Sequence, residues 1–208
     1  MLYAIDNDGS KKEALPDSIA YCPHCETEMI PKCGLINIWH WAHKNKSVDC
    51  DYKSETEWHL KWKKLALSFN CDVEVRIGDN IADILNNNSK RIIELQNSSI
   101  NTKSILERCE NYKTKGYKVD WLFNLENKYK NDHIKFTLHD DYIGFRQKWR
   151  KRQLSFLFNS DLYPLYGRVW LDINKDLPLF LVKKLYKSGG GYGEYADRNS
   201  PISTVKLW

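Results

Sequence analysis

The sequence predicts an α/β protein in which a mixed sheet is flanked by helices, preceded by a small metal-stapled β module and followed by a basic, aromatic-rich extension. Three observations carry this. Residues 81 to 96 read as strand, polar turn and strand; helical patterns lie on both sides of that hairpin, over 54–69 and 102–115; and a C-x2-C pair is followed, after fourteen residues, by an H-x2-H pair.

The 208 residues, 42% of them hydrophobic, suffice for one ordinary core and a small appended module. No apolar run approaches the roughly 18 residues of a membrane span, and the start MLYAIDNDGS has neither a basic region nor an apolar run, so the expected location is the cytoplasm. There, six cysteines point to metal binding or free thiols rather than disulfides. The formal charge of +5 is uneven: −2 over residues 1–50, +1 over 51–125 and +6 over 126–208. The last third is therefore the expected footprint of a polyanion.

Residues 1–50 are read as one module. LYAID, a turn at Asn7 to Ser10 and a second strand make a hairpin, and YCPHCETEMIPKCGLINIWHWAHK follows. Cys22, Cys25, His40 and His43 offer two thiolates and two imidazoles to a tetrahedral Zn²⁺, with Cys50 as a rival ligand and Cys33 a weaker one. The two histidines stand one residue closer than in ordinary nucleic-acid fingers. A closed four-ligand site is structural, and so short a module needs such a staple to hold its shape.

Residues 51–125 are read as the core. SETEWHLKWKKLALSF suggests a helix with Ser54 as N-cap, Glu57 completing a capping box, and Trp58, Trp62, Leu65 and Phe69 as the packed stripe. Glu55 and His59 lie four apart beside that stripe. In the hairpin, the period of two puts Glu94 and Gln96 on one face, and the partner strand brings Asp83 beside them. Two carboxylates on a rigid sheet are an oxygen-ligand set suited to Mg²⁺. A second helix from about Thr102 to Lys115 buries Ile105, Cys109 and Tyr112, ends at Gly116 and leads into a strand from Tyr117 to Phe123. Arg108 and Tyr112, four apart, present a guanidinium and a phenol on one side, a pair suited to phosphate.

In residues 126–208, Arg146, Lys148, Arg150, Lys151 and Arg152 interleave with Phe145 and Trp149, which suits phosphate contact with base stacking. DLPLFLVKKL predicts a short helix starting near Pro178, SGGGYGEYADRNSP a flexible loop around Gly189 to Gly193, and STVKLW a final strand. The loop lacks the lysine and hydroxyl of a P-loop, which excludes that mode of nucleotide hydrolysis.

Taken in order, CPHC, WHWAHK, SETEWHLKWK, IADIL, IIELQNSSI and ERCENYKTKGYKVDWLF resemble the competence protein CoiA-like family, a branch of the PD-(D/E)XK nuclease superfamily, over residues 1 to about 125. The resemblance implies a zinc-binding module joined to a restriction-endonuclease-like core. It implies Glu55 as the acid of the first core helix and Asp83 as the motif aspartate. Glu94 and Gln96 stand at the E-x-K positions, and Arg108 and Tyr112 where related nucleases carry a helical Q-x3-Y-like pair. Gln96 replaces the lysine that would orient water and stabilise charge; an amide orients water without supplying charge. Lys63 is a candidate for a displaced cation and Lys90 a poorer one.

The expected function is a deoxyribonuclease with Mg²⁺ or Mn²⁺ held by Asp83, Glu94 and the Leu95 carbonyl, acting in DNA uptake, recombination or defence. Glu55, Asp83, Glu94 and Gln96 are the catalytic candidates. His59, Lys63, Arg108, Tyr112 and the basic residues from Arg146 to Arg152 are the expected contacts to single- or double-stranded DNA. The alternatives are a non-catalytic DNA-binding accessory of recombination or competence, and an interaction module that docks a protein partner through its zinc unit.

Overall fold

The computed structural model describes residues 1–36, 38–45, 50, 55–98, 100–131, 134–138, 142–147, 167–173, 179–188 and 191–197. The chain divides into two compact units, Met1–Glu74 and Val75–Trp208.

The first unit holds five short strands, β1 (Tyr3–Ile5), β2 (Lys11–Glu13), β3 (Ala20–Tyr21), β4 (Glu28–Lys32) and β5 (His40–His43), then α1 (Glu57–Ser68). The strands form one antiparallel sheet in the order β2-β1-β3-β4-β5. The expected first hairpin is present: the Asp6 carboxylate accepts from the Asp8 and Ser10 amides across the turn, an Asx-type closure. Met1, Ala4, Ala14, Ala20, Cys22, Met29 and Trp41 form its core, and the Trp41 indole donates to the Lys12 carbonyl at 2.8 Å.

Helix α1 departs from expectation in two ways. Its N-cap is Thr56, whose amide donates to the His59 ring at 3.4 Å; Ser54 lies outside the described residues, and Glu57 is the first helical residue. Its buried positions are Leu60, Lys63 and Ala66, whereas Leu65 and Phe69 are exposed. Reading hydrophobic residues alone misplaces the face, because a lysine here is buried among carboxylates.

From β6 (Asp72–Ile77), which passes from the first unit into the second, the chain runs through β7 (Asn80–Asn86), β8 (Arg91–Gln96), α2 (Thr102–Thr114), β9 (Lys118–Asn124), α3 (Glu126–Lys130), β10 (Ile134–Leu138), β11 (Tyr142–Gln147), β12 (Val169–Asp172), β13 (Phe180–Ser188) and β14 (Gly191–Asp197). The sheet order is β10-β11-β14-β13-β12-β9-β8-β7-β6. Strand β9 is parallel to β8 on one side and to β12 on the other, with antiparallel pairs outside this centre. A parallel neighbour needs a crossover, and α2 supplies it between β8 and β9. Asn101 caps α2 by accepting from the Ser104 amide at 2.8 Å, and Gly116 ends it with φ of +82°, as the sequence predicts. Ile105, Cys109 and Tyr112 are its buried face, packed with Ile92, Val119, Trp121 and Phe123.

The C-terminal expectations change. The segment read as a helix near Pro178 supplies β13, and the glycine-rich segment read as a loop supplies β14, paired on both sides. An apolar run of four to eight residues fits either state locally, and pairing with β12 and β14, the strands before and after it in sequence, decides it. Residues 189–190 and STVKLW lie outside the described residues. Among the described residues no helix is long and apolar enough to cross a membrane.

Strand β12 is tied to the centre of the sheet by Asp120, which has no exposed surface. Its carboxylate accepts from Arg91 Nη1 at 2.5 Å, from the Arg168 amide at 2.6 Å, and from Arg168 Nε at 3.0 Å. Removing one partner of a buried charge cluster leaves the others uncompensated. Asp120→Ala is expected to cost about 3–5 kcal/mol in urea unfolding, whereas a cost under about 0.5 kcal/mol, the range of ordinary surface substitutions, would contradict this role.

Candidate functional site

In the first unit, Cys22 and Cys25 sit in a turn between β3 and β4. The Cys22 amide donates to the Thr27 carbonyl, the Glu26 amide to the Cys22 carbonyl, and the His24 amide to the Cys22 thiol sulfur at 3.4 Å. Glu26 takes a φ of +56° to close the turn. The ligand atoms of Cys22, Cys25, His43 and Cys50 all lie within 4.8 Å of one another. Cys22 and Cys50 sulfurs are 3.9 Å apart, and Cys25 Sγ lies 3.4 Å from His43 Nε2. Tetrahedral Zn²⁺ sets neighbouring sulfur and nitrogen ligands roughly 3.5–3.8 Å apart, so the donor set fits the ion. Burial pushes the Cys22 thiol up; at Cys25 burial is outweighed by hydrogen bonds, first from Thr27, which bring the thiol down to about 6 and favour thiolate.

His40 is not part of this group; its Nδ1 lies 2.8 Å from the Ile38 carbonyl. The two histidines lie on a strand, and residues three apart on a strand point to opposite faces. Cys50 takes the place expected for His40, and Cys33 stays outside the group. The chemistry such an ion supplies is a cross-link of the module.

Also in the first unit, Lys63 is 2% exposed and its ammonium is shared by Glu55 and, at 3.2 Å, Glu74. Glu74 accepts the Leu2 and Tyr3 amides as well, at 2.8 and 3.0 Å. Burial works against ionising Glu55, but Lys63 overcomes it and holds the acid at about 2. Lys63 is thus committed to carboxylates rather than offered to DNA as the sequence led us to expect, and His59 serves the helix cap. Glu74 was missed in the sequence because nothing local marks its tie to α1.

In the second unit, Ile84 faces Ile93 and Leu85 faces Ile92, a register that sets Asp83 opposite Glu94. Glu94 is 1% exposed. Arg108 Nη1 donates to its Oε2 and the Tyr112 hydroxyl to its Oε1, each at 2.7 Å. Two residues four apart on α2 therefore grip both oxygens of one carboxylate. Burial, then the Asp83 charge, push Glu94 up to about 7 against the pull of Arg108 and Tyr112. The same carboxylate raises the Arg108 and Tyr112 groups, with burial the first cause for the phenol. Asp83, half-buried, accepts from the Leu95 amide at 2.9 Å, which fixes it against β8. Half-buried Gln96 turns its amide nitrogen to the Ser98 carbonyl at 2.7 Å.

A buried acid pressed by a second carboxylate calls for positive charge. Asp83, Glu94 and the Leu95 carbonyl could offer hard oxygen donors to a divalent ion, and each Glu94 carboxylate oxygen has a second lone pair beyond the one Arg108 or Tyr112 uses.

Comparison with family models matches residues 9–53 to the N-terminal domain of competence protein CoiA and residues 55–163 to its nuclease-like domain. The chain belongs to the competence protein CoiA family. No curated protein and no solved structure matches it. The CoiA nuclease-like match covers the hairpin, α2 and β9, so the Glu94 grip lies within the domain that gives the family its nuclease-like character. Of the basic run expected to contact DNA, Arg146 lies on β11, and Lys148, Arg150, Lys151 and Arg152 lie outside the described residues.

Two outcomes follow for this CoiA-family chain. Metal analysis is expected to give about one Zn²⁺ per chain, lost in Cys50→Ser and retained in His40→Ala; the reverse pattern would contradict the ligand set. For the buried lysine, Glu55 is held below its ordinary 4.5, so its stabilisation is complete above that pH and lost as pH falls toward about 2. Lys63→Met is expected to cost about 3–5 kcal/mol at neutral pH. Because buried Glu55, left without its cation, then gains by protonation, the stability of this variant should rise on mild acidification, the opposite slope to wild type. Parallel slopes in urea titrations would count against the network.

Proposed function

We propose that this chain is a divalent-metal-dependent nuclease that hydrolyses DNA phosphodiester bonds in competence-related handling of DNA. The observation that carries the reading is the convergence on one buried carboxylate, Glu94, of Asp83 across the hairpin and of Arg108 and Tyr112 from α2, inside the nuclease-like domain.

Each residue then has a task. Asp83 and Glu94, with the Leu95 carbonyl, would hold Mg²⁺ or Mn²⁺, and the ion when bound supplies Lewis-acid stabilisation of charge on the phosphate. Arg108 and Tyr112 fix the Glu94 carboxylate plane, which preorganises the site before substrate arrives. Gln96 orients water through its amide while adding no charge. Glu55, the first-helix acid by family resemblance, is bound to Lys63, and its role in this reading is to hold α1. Cleavage of supercoiled plasmid and single-stranded DNA with Mg²⁺ or Mn²⁺ is expected to fall at least ~100-fold in Asp83→Ala and Glu94→Ala. Unchanged cleavage in both variants would sink the proposal.

A second reading is favoured by one observation. Gln96, standing where the wider superfamily has lysine, directs its amide nitrogen to Ser98, 2.7 Å away. In that reading the chain is a DNA-binding accessory that holds rather than cuts, and DNA affinity survives Asp83→Ala with no cleavage under any divalent ion.

A further inference from the structure

We propose that the ends of β8 and β9 that carry Arg91 and Lys118, together with Arg168 just before β12, form a second surface, which grips nucleic-acid phosphates away from the Asp83–Glu94 site. The proposal rests on the nucleic-acid reading above but not on catalysis.

The surface follows from strand registry. Arg91 pairs with Lys118, and β12 runs parallel to β9 with Val169 opposite Trp121, so Arg168 stands beside Asp120. The period of two puts Arg91, Lys118, Asp120 and Arg168 on one face of three adjacent parallel strands. Glu94 lies three residues beyond Arg91, roughly 10 Å along the strand, and on the other face.

Charge and order point the same way. Arg91 and Arg168 reach Asp120 from the two flanking strands, so a single fully buried carboxylate meets two guanidiniums and leaves net positive charge. The guanidinium side chains keep 20% and 35% of their surface exposed while being held in place. Each has five N–H donors, of which Asp120 takes one from Arg91 and two from Arg168. Arg168 is further held with its guanidinium carbon 5.4 Å from the centre of the Trp170 ring. Lys118 is exposed beside them, and Lys90, whose carbonyl accepts the Lys118 amide, is exposed with its ammonium 5.7 Å from the Tyr117 ring centre.

Planar guanidiniums fixed before binding lose little side-chain entropy when they accept a phosphate, and two lysines at the margin add charge without demanding geometry. A repeating phosphate backbone fits this row better than an acidic peptide, whose carboxylates are irregularly spaced, and the nuclease-like domain brings such a backbone to the chain.

The test leaves the buried cluster intact. Binding of random-sequence duplex and single-stranded DNA to the full chain is measured over a salt series for wild type, for Lys90→Gln with Lys118→Gln, and for Lys61→Gln with Lys103→Gln, which removes equal charge from other exposed positions. The first pair is expected to weaken binding roughly tenfold and lower the log–log salt slope by about 2, as loss of two phosphate contacts does, with the second pair near wild type. Equal affinity in wild type and the first pair, or equal loss in both pairs, overturns this surface while leaving the nucleic-acid reading. Absence of salt-dependent DNA binding in wild type overturns both, and displacement of DNA by polyglutamate as readily as by competitor DNA overturns the phosphate assignment.

Discussion

A buried carboxylate has to be answered by donors and cations placed around it, and Glu94 imposes that demand on the second unit. Its oxygens accept from Arg108 and Tyr112, and its register sets Asp83 opposite. Meeting the demand fixes the phase of α2, since residues four apart present side chains to the same point, and α2 in turn makes the crossover that lets β9 lie parallel to β8. The site is therefore part of the packing of the second unit.

The same logic recurs elsewhere. Lys63 in α1 is buried because Glu55 and Glu74 answer it, and Asp120 is buried because Arg91 and Arg168 do. Buried pairs of this kind add little net stability over apolar packing but penalise wrong arrangements heavily. Cys109, by contrast, accepts the Trp121 indole N–H at 3.3 Å, and burial pushes its thiol up to about 12, which marks it as packing rather than chemistry.

What could be read in the sequence was what local periodicity encodes. Alternation in IADIL and RIIELQ sufficed for the hairpin and for placing Asp83 by Glu94, and helical spacing sufficed for Ile105, Cys109 and Tyr112. The buried face of α1 was hidden, since a lysine scores as solvent-facing until its carboxylates, one of them eleven residues away on β6, are known. The zinc ligands were legible as a set but not in their membership: HWAH reads as a finger-like pair unless the alternation around Trp41 is taken as a strand, which separates His40 from His43. Strands β13 and β14 were illegible because a short apolar run reads locally as a helix start and a glycine-rich run as a loop, while their state is decided by pairing with each other and with β12 and β11. A lone aspartate in the apolar run VDWLF was the available signal for Asp120.

The central claim, that the Glu94 grip doubles as a divalent-cation site, is tested most directly by titrating the full chain with Mn²⁺ under electron paramagnetic resonance and comparing wild type with Glu94→Gln. The account predicts a saturable Mn²⁺ site in wild type that disappears in Glu94→Gln while the fold, followed by circular dichroism, is retained. Identical Mn²⁺ binding in the two proteins would contradict it.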